Sequence, residues 1–276
     1  MTPVSKSTEV LDLDALSQWG PWIAQIVVGI ASQTLVDELS ETSPEFIEDA
    51  CDWVFDRIGR GRVLRAIEEG MANKSVRLYH GTRLAAAELL SVQRQGLKPL
   101  CLDYRRSTLV DALSAHPRWP EVEKRIDDAL EVFGPLARAG RREDGCVHVC
   151  FSRAGLLYGC NHYLTHGAEV DGHIAHYLFG DNSGHNYLRD HRRPYLIWFD
   201  VSFDVAAQGS SASGDLAAGR ELLAEKLLGY WAYGTAHPTF RVDTQRDCAA
   251  AKVVGVVSPD LLEFERVEEG RNEGNE

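Results

Sequence analysis

One short segment, Leu78-Tyr79-His80-Gly81-Thr82-Arg83, combines residue types that suit ligand binding. The preceding residues alternate in polarity like a strand, so His80 is predicted at a strand end, held by the backbone and facing a cleft. Gly81 allows a ligand to approach the main chain closely, and the Thr82 hydroxyl can donate and accept hydrogen bonds. We therefore take these three residues as candidate binding residues, with a purely structural role as the alternative.

Histidines are dense in one part of the chain, where seven of the ten lie between His148 and His191. His162 and His166 are four residues apart, so on a helix they would share a face, as zinc ligands do. No HExxH or CxxC pattern completes a ligand set. The sequence therefore predicts no metal site, and most of these histidines are expected on the surface or in hydrogen bonds.

A small basic cluster precedes Tyr195 and consists of Arg189, His191, Arg192 and Arg193. Such a cluster could bind phosphate groups, or it could be a solvated loop. The chain contains no GxGxxG, P-loop or GxSxG motif, so Rossmann, P-loop and serine hydrolase sites have no support.

Periodicity and turn residues predict the elements that must position these residues. Residues 1–74 are predicted as a helical domain, 75–265 as a second domain and 266–276 as a disordered tail. In the second domain we expect strands at 75–82, 146–152, 195–203, 239–242 and 252–257, helices at 85–95, 154–179 and 222–233, a helical insertion at 98–145, and loops at 180–194 and 206–219. Because the strands do not alternate regularly with helices, the predicted class is α+β.

Composition narrows the classes of function. The 276 residues include 29 basic and 41 acidic ones, and the net charge of −12 argues against a general electrostatic grip on nucleic acid or anionic lipid. The six cysteines form no CxxC pair, and the polar N-terminus lacks a signal-peptide core. The most apolar stretch, residues 22–36, is too short and polar to span a bilayer. We expect a cytoplasmic protein with no membrane partner.

The chain resembles the ADP-ribosyltransferase superfamily, in particular its poly(ADP-ribose) polymerase-like and nucleic-acid-modifying branches. Those proteins open their catalytic core with a strand that ends in His-Gly-Thr or His-Gly-Ser, followed by a helix and Gly-Leu, as His80 to Thr82 and Gly96-Leu97 do here. The segments 147–152, 239–242 and 252–260 are similar to the family's later strands. The resemblance covers residues 75–265 and implies a split β-sheet core, with an N-terminal helical extension and a helical insertion, that binds NAD as a substrate.

The resemblance also implies roles for particular residues. His80 would bond a ribose of NAD, Gly81 the nicotinamide carboxamide, and Thr82 would lie beside the adenosine. Tyr158 or Tyr163 would stack on the nicotinamide, because an aromatic face stabilises a cationic ring. Spacing does not decide between the two tyrosines. Ser152 would support the ribose, and Arg193 in the basic cluster would bind the pyrophosphate.

The chain departs from the family at the third motif strand, where the family has a glutamate. This sequence has His237-Pro238-Thr239-Phe240-Arg241-Val242-Asp243, and Asp243 is the nearest carboxylate. We take Asp243 as the catalytic carboxylate, since a negative charge stabilises an oxocarbenium-like ribose. Asp247 and Glu225 are the alternatives. Polymer formation depends on that glutamate in the family, so it is not expected here.

The function that the resemblance implies is mono-ADP-ribosyl transfer from NAD to a macromolecular acceptor, protein or nucleic acid. A bacterial or phage effector, toxin or defence protein would fit such an enzyme. Two alternatives stay open, an NAD-dependent RNA 2′-phosphotransferase and a non-catalytic module that binds an NAD derivative. The N-terminal helices are candidates for contact with a regulatory partner.

Overall fold

The fold is described from a computed structural model, which covers residues 9–133, 145–242 and 250–268, with Leu102 described by its backbone alone. Its six described strands belong to one sheet, in the order β5-β3-β2-β4-β6, with β1 beside β2. The strands are β1 Val10–Leu11, β2 Ser75–Leu84, β3 Cys146–Cys150, β4 Arg193–Ser202, β5 Ala250–Val254 and β6 Glu263–Arg266. Val10 pairs with Ser75 in parallel, and Tyr195 pairs with Arg266 in antiparallel register.

Helices make up most of the remaining described chain, so the protein is of the α+β class that the sequence predicts. The helices are α1 Leu16–Ile30, α2 Gln33–Ser40, α3 Ile47–Ile58, α4 Arg60–Met71, α5 Ala86–Gln95, α6 Leu102–Leu113, α7 Trp119–Val122, α8 Ile126–Phe133, α9 His162–His166, α10 Glu169–Phe179, α11 Ser183–His191, α12 Phe203–Ser210 and α13 Leu216–Ala236. A π turn occupies Gly155–Gly159, and 3₁₀ turns occupy Glu123–Arg125 and Pro259–Leu261. In these ranges, no helix is both long enough and apolar enough to cross a membrane.

The chain divides into two compact units, and each is discontinuous in sequence. Unit 1 takes its described residues from 1–78, 150–159 and 200–252, and unit 2 from 79–149, 160–199 and 253–276. The segment 1–74, predicted as a domain of its own, therefore lies in unit 1 together with 200–252.

Unit 1 is built around the long helix α13, which packs against α1, α3, α4 and α12. Its buried side chains include Trp19, Ile23, Val54 and Leu227, each fully shielded from solvent. On α1, Trp19, Ile23 and Val27 follow the four-residue spacing that gives a helix one apolar face. Burial of that face is the main source of helix stability, because isolated helices of this length are marginal in water.

Unit 2 has its own apolar core, formed by helices α6 to α8, α10 and α11. Leu109, Ile126, Ile174, Leu178 and Leu188 are among its buried members. Helix α10 packs on α8 and α11, and α6 packs on α8 and α11. This helical layer contains the insertion that the sequence predicts between residues 98 and 145.

The sequence predicted the strand and helix that open unit 2, but it was wrong in other places. Residues 180–194 are not a loop, because α11 forms there, with the Asp181 carboxylate accepting from the Ser183 amide at 2.8 Å. The segment 206–219 is largely α12 and the start of α13. Its small residues serve close packing, since a Cβ on Gly219 would lie 1.9 Å from the Ala207 carbonyl oxygen.

Two strand expectations also differ from the structure. Residues 239–242 form no strand, because the chain turns there and the Phe240 amide donates to the His237 carbonyl at 2.8 Å. Conversely, the N-terminal segment predicted to be helical contains β1. The six described strands follow one hydrogen-bonded path, so the split sheet that the resemblance implies is not seen among them.

The cysteines are in different states. Cys51, Cys101, Cys146 and Cys160 are free thiols, whereas Cys150, at the end of β3, is disulfide-bonded. Burial, with a contribution from the nearby Glu225 carboxylate, raises the pKa of Cys51 to about 12. Because the thiolate is the nucleophilic form, Cys51 is a structural thiol at neutral pH.

Candidate functional site

A cavity of about 160 Å³ lies entirely within unit 2 and brings together several of the residues that the sequence singled out. His80, Gly81 and Thr82 line it from the second half of β2, and Tyr163 lines it from α9. Further lining residues come from α5, β3, the start of α10 and the segment that joins α5 to α6. The His-Gly-Thr segment therefore reaches a cleft, but the predicted strand end at these residues is wrong, because β2 continues to Leu84.

The imidazole of His80 is oriented by the neighbouring strand β3. Its Nδ1 lies 2.8 Å from the carbonyl oxygen of His148. A carbonyl can only accept, so Nδ1 carries the proton, and Nε2 of the neutral ring is a hydrogen-bond acceptor. Burial lowers the pKa of His80 below its usual value, although the bond to His148 opposes this shift. His80 is therefore neutral at pH 7 and able to accept a hydrogen bond from a ligand hydroxyl.

The two candidate stacking tyrosines lie in different units. Tyr163 is half-buried and lines the cavity, with its ring centroid 4.0 Å from that of His162. Tyr158 belongs to unit 1 and is 61% exposed. Of the two, Tyr163 is the one placed with His80.

Three other predicted site residues do not line this cavity. Ser152 lies in unit 1, where its hydroxyl donates to the Asp14 carboxylate at 2.6 Å and accepts from the Gly155 amide at 3.0 Å. Ser152 therefore anchors the turn after β3. Arg193 is exposed at the start of β4 and is absent from the cavity wall. Asp243, the predicted catalytic carboxylate, lies outside the described residues, as does its alternative Asp247.

A buried ionic network lies around the cavity, and no pattern in the sequence predicted it. Arg192 is only 4% exposed and donates to Asp171 at 2.7 Å and to Glu88 at 2.8 Å. These two carboxylates line the cavity, and Arg192 lies behind them. The predicted basic loop therefore contains one arginine that is committed to buried ion pairs.

Arg83 is a second buried guanidinium, three residues after His80. It donates to three backbone carbonyls, those of Leu164 at 2.9 Å, Arg189 at 2.7 Å and Arg192 at 2.8 Å. Arg83 thus ties β2 to the ends of α9 and α11, which keeps the wall of the cavity in place.

Four further polar side chains on the cavity wall were not foreseen. Tyr104 and Arg105 come from α6, and Lys98 places its Nζ 5.6 Å from the centroid of the Tyr104 ring. Glu169, the first residue of α10, lies 3.2 Å from the Nε2 atom of His162 and is about one-third exposed. A motif search could not find these residues, because they occur in stretches without a recognisable pattern.

Metal binding has no support in the described part of the chain. No group of three or more His, Cys, Asp or Glu side chains there is arranged to hold a metal ion. His162 Nε2 lies 3.2 Å from a Glu169 carboxylate oxygen, and the ring of His166 lies 5.2 Å from that of His185.

Comparison with known proteins identifies no relative. No family model, no curated protein and no solved structure matches the chain.

Proposed function

We propose that the chain is an NAD-consuming ADP-ribosyltransferase whose dinucleotide binds in the unit 2 cavity. The observation that carries this proposal is the oriented, neutral imidazole of His80 beside Gly81, Thr82 and Tyr163 on one cavity wall. His80 Nε2 would accept from a ribose hydroxyl, and the Tyr163 ring would cover the nicotinamide. The family fold and the NAD specificity rest on the resemblance of residues 75–265.

The size of the cavity limits how much of NAD it can enclose. Its volume of about 160 Å³ is smaller than the roughly 300–1,000 Å³ of sites that bury a whole drug-sized ligand. We therefore assign it to the nicotinamide riboside end, with the rest of the dinucleotide extending out of the opening.

The reaction would break the bond between the nicotinamide nitrogen and the ribose C1′. Nicotinamide leaves with the bonding electron pair, positive charge develops on the ribose, and a nucleophile of the acceptor attacks C1′ and loses its proton. A carboxylate beside the ribose stabilises that charge. Among the described residues, three carboxylates line the cavity, and Glu88 and Asp171 are committed to Arg192. Glu169 is the more exposed one, and we assign it this role alongside the original candidate Asp243.

The acceptor is a macromolecule, protein or nucleic acid, or water in its absence. The N-terminal helices of unit 1 are the proposed contact for a regulatory partner. The predicted cytoplasmic setting and the effector, toxin or defence context also stay proposals.

The test is nicotinamide release from NAD by the full chain, with and without cell lysate. We expect His80→Ala to reduce release at least about tenfold through the lost ribose contact. Glu169→Gln is expected to lower the maximal rate about 10²- to 10³-fold while NAD still binds. The matched control for His80 is His191→Ala, because His191 makes a similar Nδ1 bond to a carbonyl, that of Tyr187 at 2.8 Å, on an exposed helix face.

The same assay separates the alternatives. NAD binding without release would identify a non-catalytic binding module. Release only when a 2′-phosphorylated RNA is supplied, with loss of that phosphate, would identify a phosphotransferase. Release that persists in His80→Ala would place the chemistry elsewhere and overturn the proposed site.

A further inference from the structure

The ring of His185, on α11, lies at a contact of three helices in unit 2. Its centroid is 5.2 Å from that of His166, the last residue of α9. It also packs on α10, because a Cβ added to Gly172 would lie 3.5 Å from the ring and 3.6 Å from its Nε2 atom. The surroundings of this imidazole therefore depend on how α9, α10 and α11 pack together.

One nitrogen of the His185 ring is shielded from solvent without a partner. Its Nε2 atom is buried and has no hydrogen-bond partner among the residues that the structure describes. A neutral imidazole can leave one nitrogen unprotonated, whereas the protonated ring carries an N–H group on both. A charged donor without an acceptor is costly away from water. Protonation of His185 therefore requires that its Nε2 atom reach solvent.

The charges that act on His185 also oppose its protonation. Burial lowers the pKa of His185, and the positive charges of His166, Arg189 and His173 lower it further, although an interaction with the His166 backbone opposes this shift. His166 and His173 are exposed, and imidazoles in general change charge between about pH 5 and 8. In mild acid, the ring of His185 would thus gain its charge beside other cations.

Carboxylates on the neighbouring helices are engaged by arginines. Helices α9, α10 and α6 all pack on α11. Three of these ion pairs are Asp190 with Arg189 at 3.2 Å, Asp171 with Arg192 at 2.7 Å, and Asp127 on α8 with Arg106 on α6 at 2.6 Å. Asp171 also accepts from Arg105 of α6 at 3.3 Å.

The other histidine of α9 would respond to acid in the opposite way. The Nε2 atom of His162 lies 3.2 Å from a Glu169 carboxylate oxygen, at the start of α10. Protonation of His162 would therefore favour the contact between α9 and α10. His185, which has cations around it, is the histidine whose protonation would disfavour the packing of these helices.

The contact between α9 and α11 belongs to the same structure as the cavity wall. Arg83 donates to the Leu164 carbonyl of α9 at 2.9 Å and to the Arg189 carbonyl of α11 at 2.7 Å. Tyr163, the neighbour of Leu164 on α9, lines the cavity. Separation of α9 from α11 would stretch the bridge through Arg83 and displace the ring of Tyr163.

We propose that His185 is a proton-sensitive switch of unit 2, whose imidazolium separates α11 from α9 and loosens the cavity wall at Tyr163. The neutral ring fits the closed packing, and the charged ring needs water at Nε2. Stability of the closed form is therefore complete above the ordinary histidine pKa of about 6.5 and is lost as pH falls below it. The proposal does not depend on which ligand the cavity binds.

The experiment measures hydrogen exchange of the Thr165 and Gly167 amides in the full chain at about pH 7.5 and about pH 5.5, corrected for the intrinsic exchange rate at each pH. These amides donate to the Asn161 and Tyr163 carbonyls. We expect their protection to fall about fivefold to tenfold at the lower pH, because an opened histidine with an ordinary pKa binds a proton in about tenfold excess there. His185→Gln is neutral at both pH values and should remove most of this fall.

The matched control is His191→Gln, because His191 is an exposed histidine on the same helix. It should leave the fall in protection unchanged. Thermal unfolding at about pH 7.5 shows which variants are folded, and His185→Leu, also neutral, serves if His185→Gln does not fold.

Three results would overturn the switch: equal falls in the parent and in the neutral His185 variant, equal protection of the parent at both pH values, or no protection of these amides at either. A fall that His191→Gln removes as fully as His185→Gln would also overturn it, since the effect would then belong to the charge of the helix as a whole. The assay contains no NAD, so its outcome is separate from that of the nicotinamide release assay.

Discussion

Replacement of Arg192 by methionine should destabilise unit 2 strongly. Arg192 donates to Asp171 at 2.7 Å and to Glu88 at 2.8 Å, and its side chain is 4% exposed. The substitution keeps most of the apolar stem but leaves both carboxylates without this cation. Removal of one partner from a buried pair typically costs about 3–5 kcal/mol. Since Arg105 still contacts Asp171, we expect a loss of stability near the lower figure, about 3 kcal/mol.

The assay measures urea unfolding of the full chain and, in a separate experiment, hydrogen exchange of the α10 amides. The exchange readout is needed because the chain has two units, which need not unfold in one step. Arg189→Met is the control, because Arg189 lies three residues earlier, on α11, with 40% of its side chain exposed, and its side chain pairs with neighbouring Asp190. A surface pair of this kind contributes about 0–1 kcal/mol.

The reasoning would be refuted by a loss below about 1 kcal/mol in Arg192→Met, or by an equal loss in Arg189→Met. A second substitution sharpens the test. If the penalty comes from unpaired buried charge, then Glu88→Gln added to Arg192→Met should recover part of the lost stability, because the neutral side chain needs no cation. A further loss in the double variant would mean that packing dominates.

Two further predictions concern stability. Gly219→Ala should lower the free energy of unfolding in urea by about 1–3 kcal/mol, because its Cβ would lie 1.9 Å from a backbone oxygen. The control is Gly61→Ala on α4, whose Cβ meets no atom within 4 Å and which should be neutral or stabilising. Equal effects of the two substitutions would contradict this reasoning. Burial lowers the pKa of His116 in the folded chain, so its contribution to stability is complete above the unfolded value of about 6.5 and is lost as pH falls below it. Urea unfolding from pH 8 to pH 5 should show a shallower decline in His116→Gln, and an unchanged decline would rule out His116 as a cause.

The parts of the site that the sequence predicted are those set by neighbours in the chain. Alternating residues predicted β2, and a glycine after an amphipathic stretch predicted the end of α5, where Gly96 has a φ of 84°. The same local pattern placed His80 in a strand, but it did not predict that β2 continues past Thr82 to Leu84. The sequence left Tyr158 and Tyr163 open as alternatives, because their spacing is similar and only the fold separates an exposed ring from a cavity wall.

The parts that the sequence did not predict depend on residues far apart in the chain. Arg105 and Asp171 are 66 residues apart, and Glu88 and Arg192 are 104 apart. A single charged residue in a helix usually indicates a solvated face, and nothing local distinguishes the rare one that is buried with a partner. The small residues of 206–219 misled the prediction for a related reason, because glycine that permits flexibility and glycine that permits close packing look alike in sequence.

The ionic network of Arg192, Asp171 and Glu88 contributes little net stability to the cavity wall, since apolar residues of similar volume would often give equal or greater stability. Its position beside the cavity indicates a role other than stability. Arg192 does not line the cavity, but the two carboxylates that it holds do, and one of them, Asp171, also accepts a hydrogen bond from Arg105 at 3.3 Å. Loss of Arg192 should therefore lower stability, whereas a wall of apolar residues could be equally stable but would present no carboxylates to the cavity.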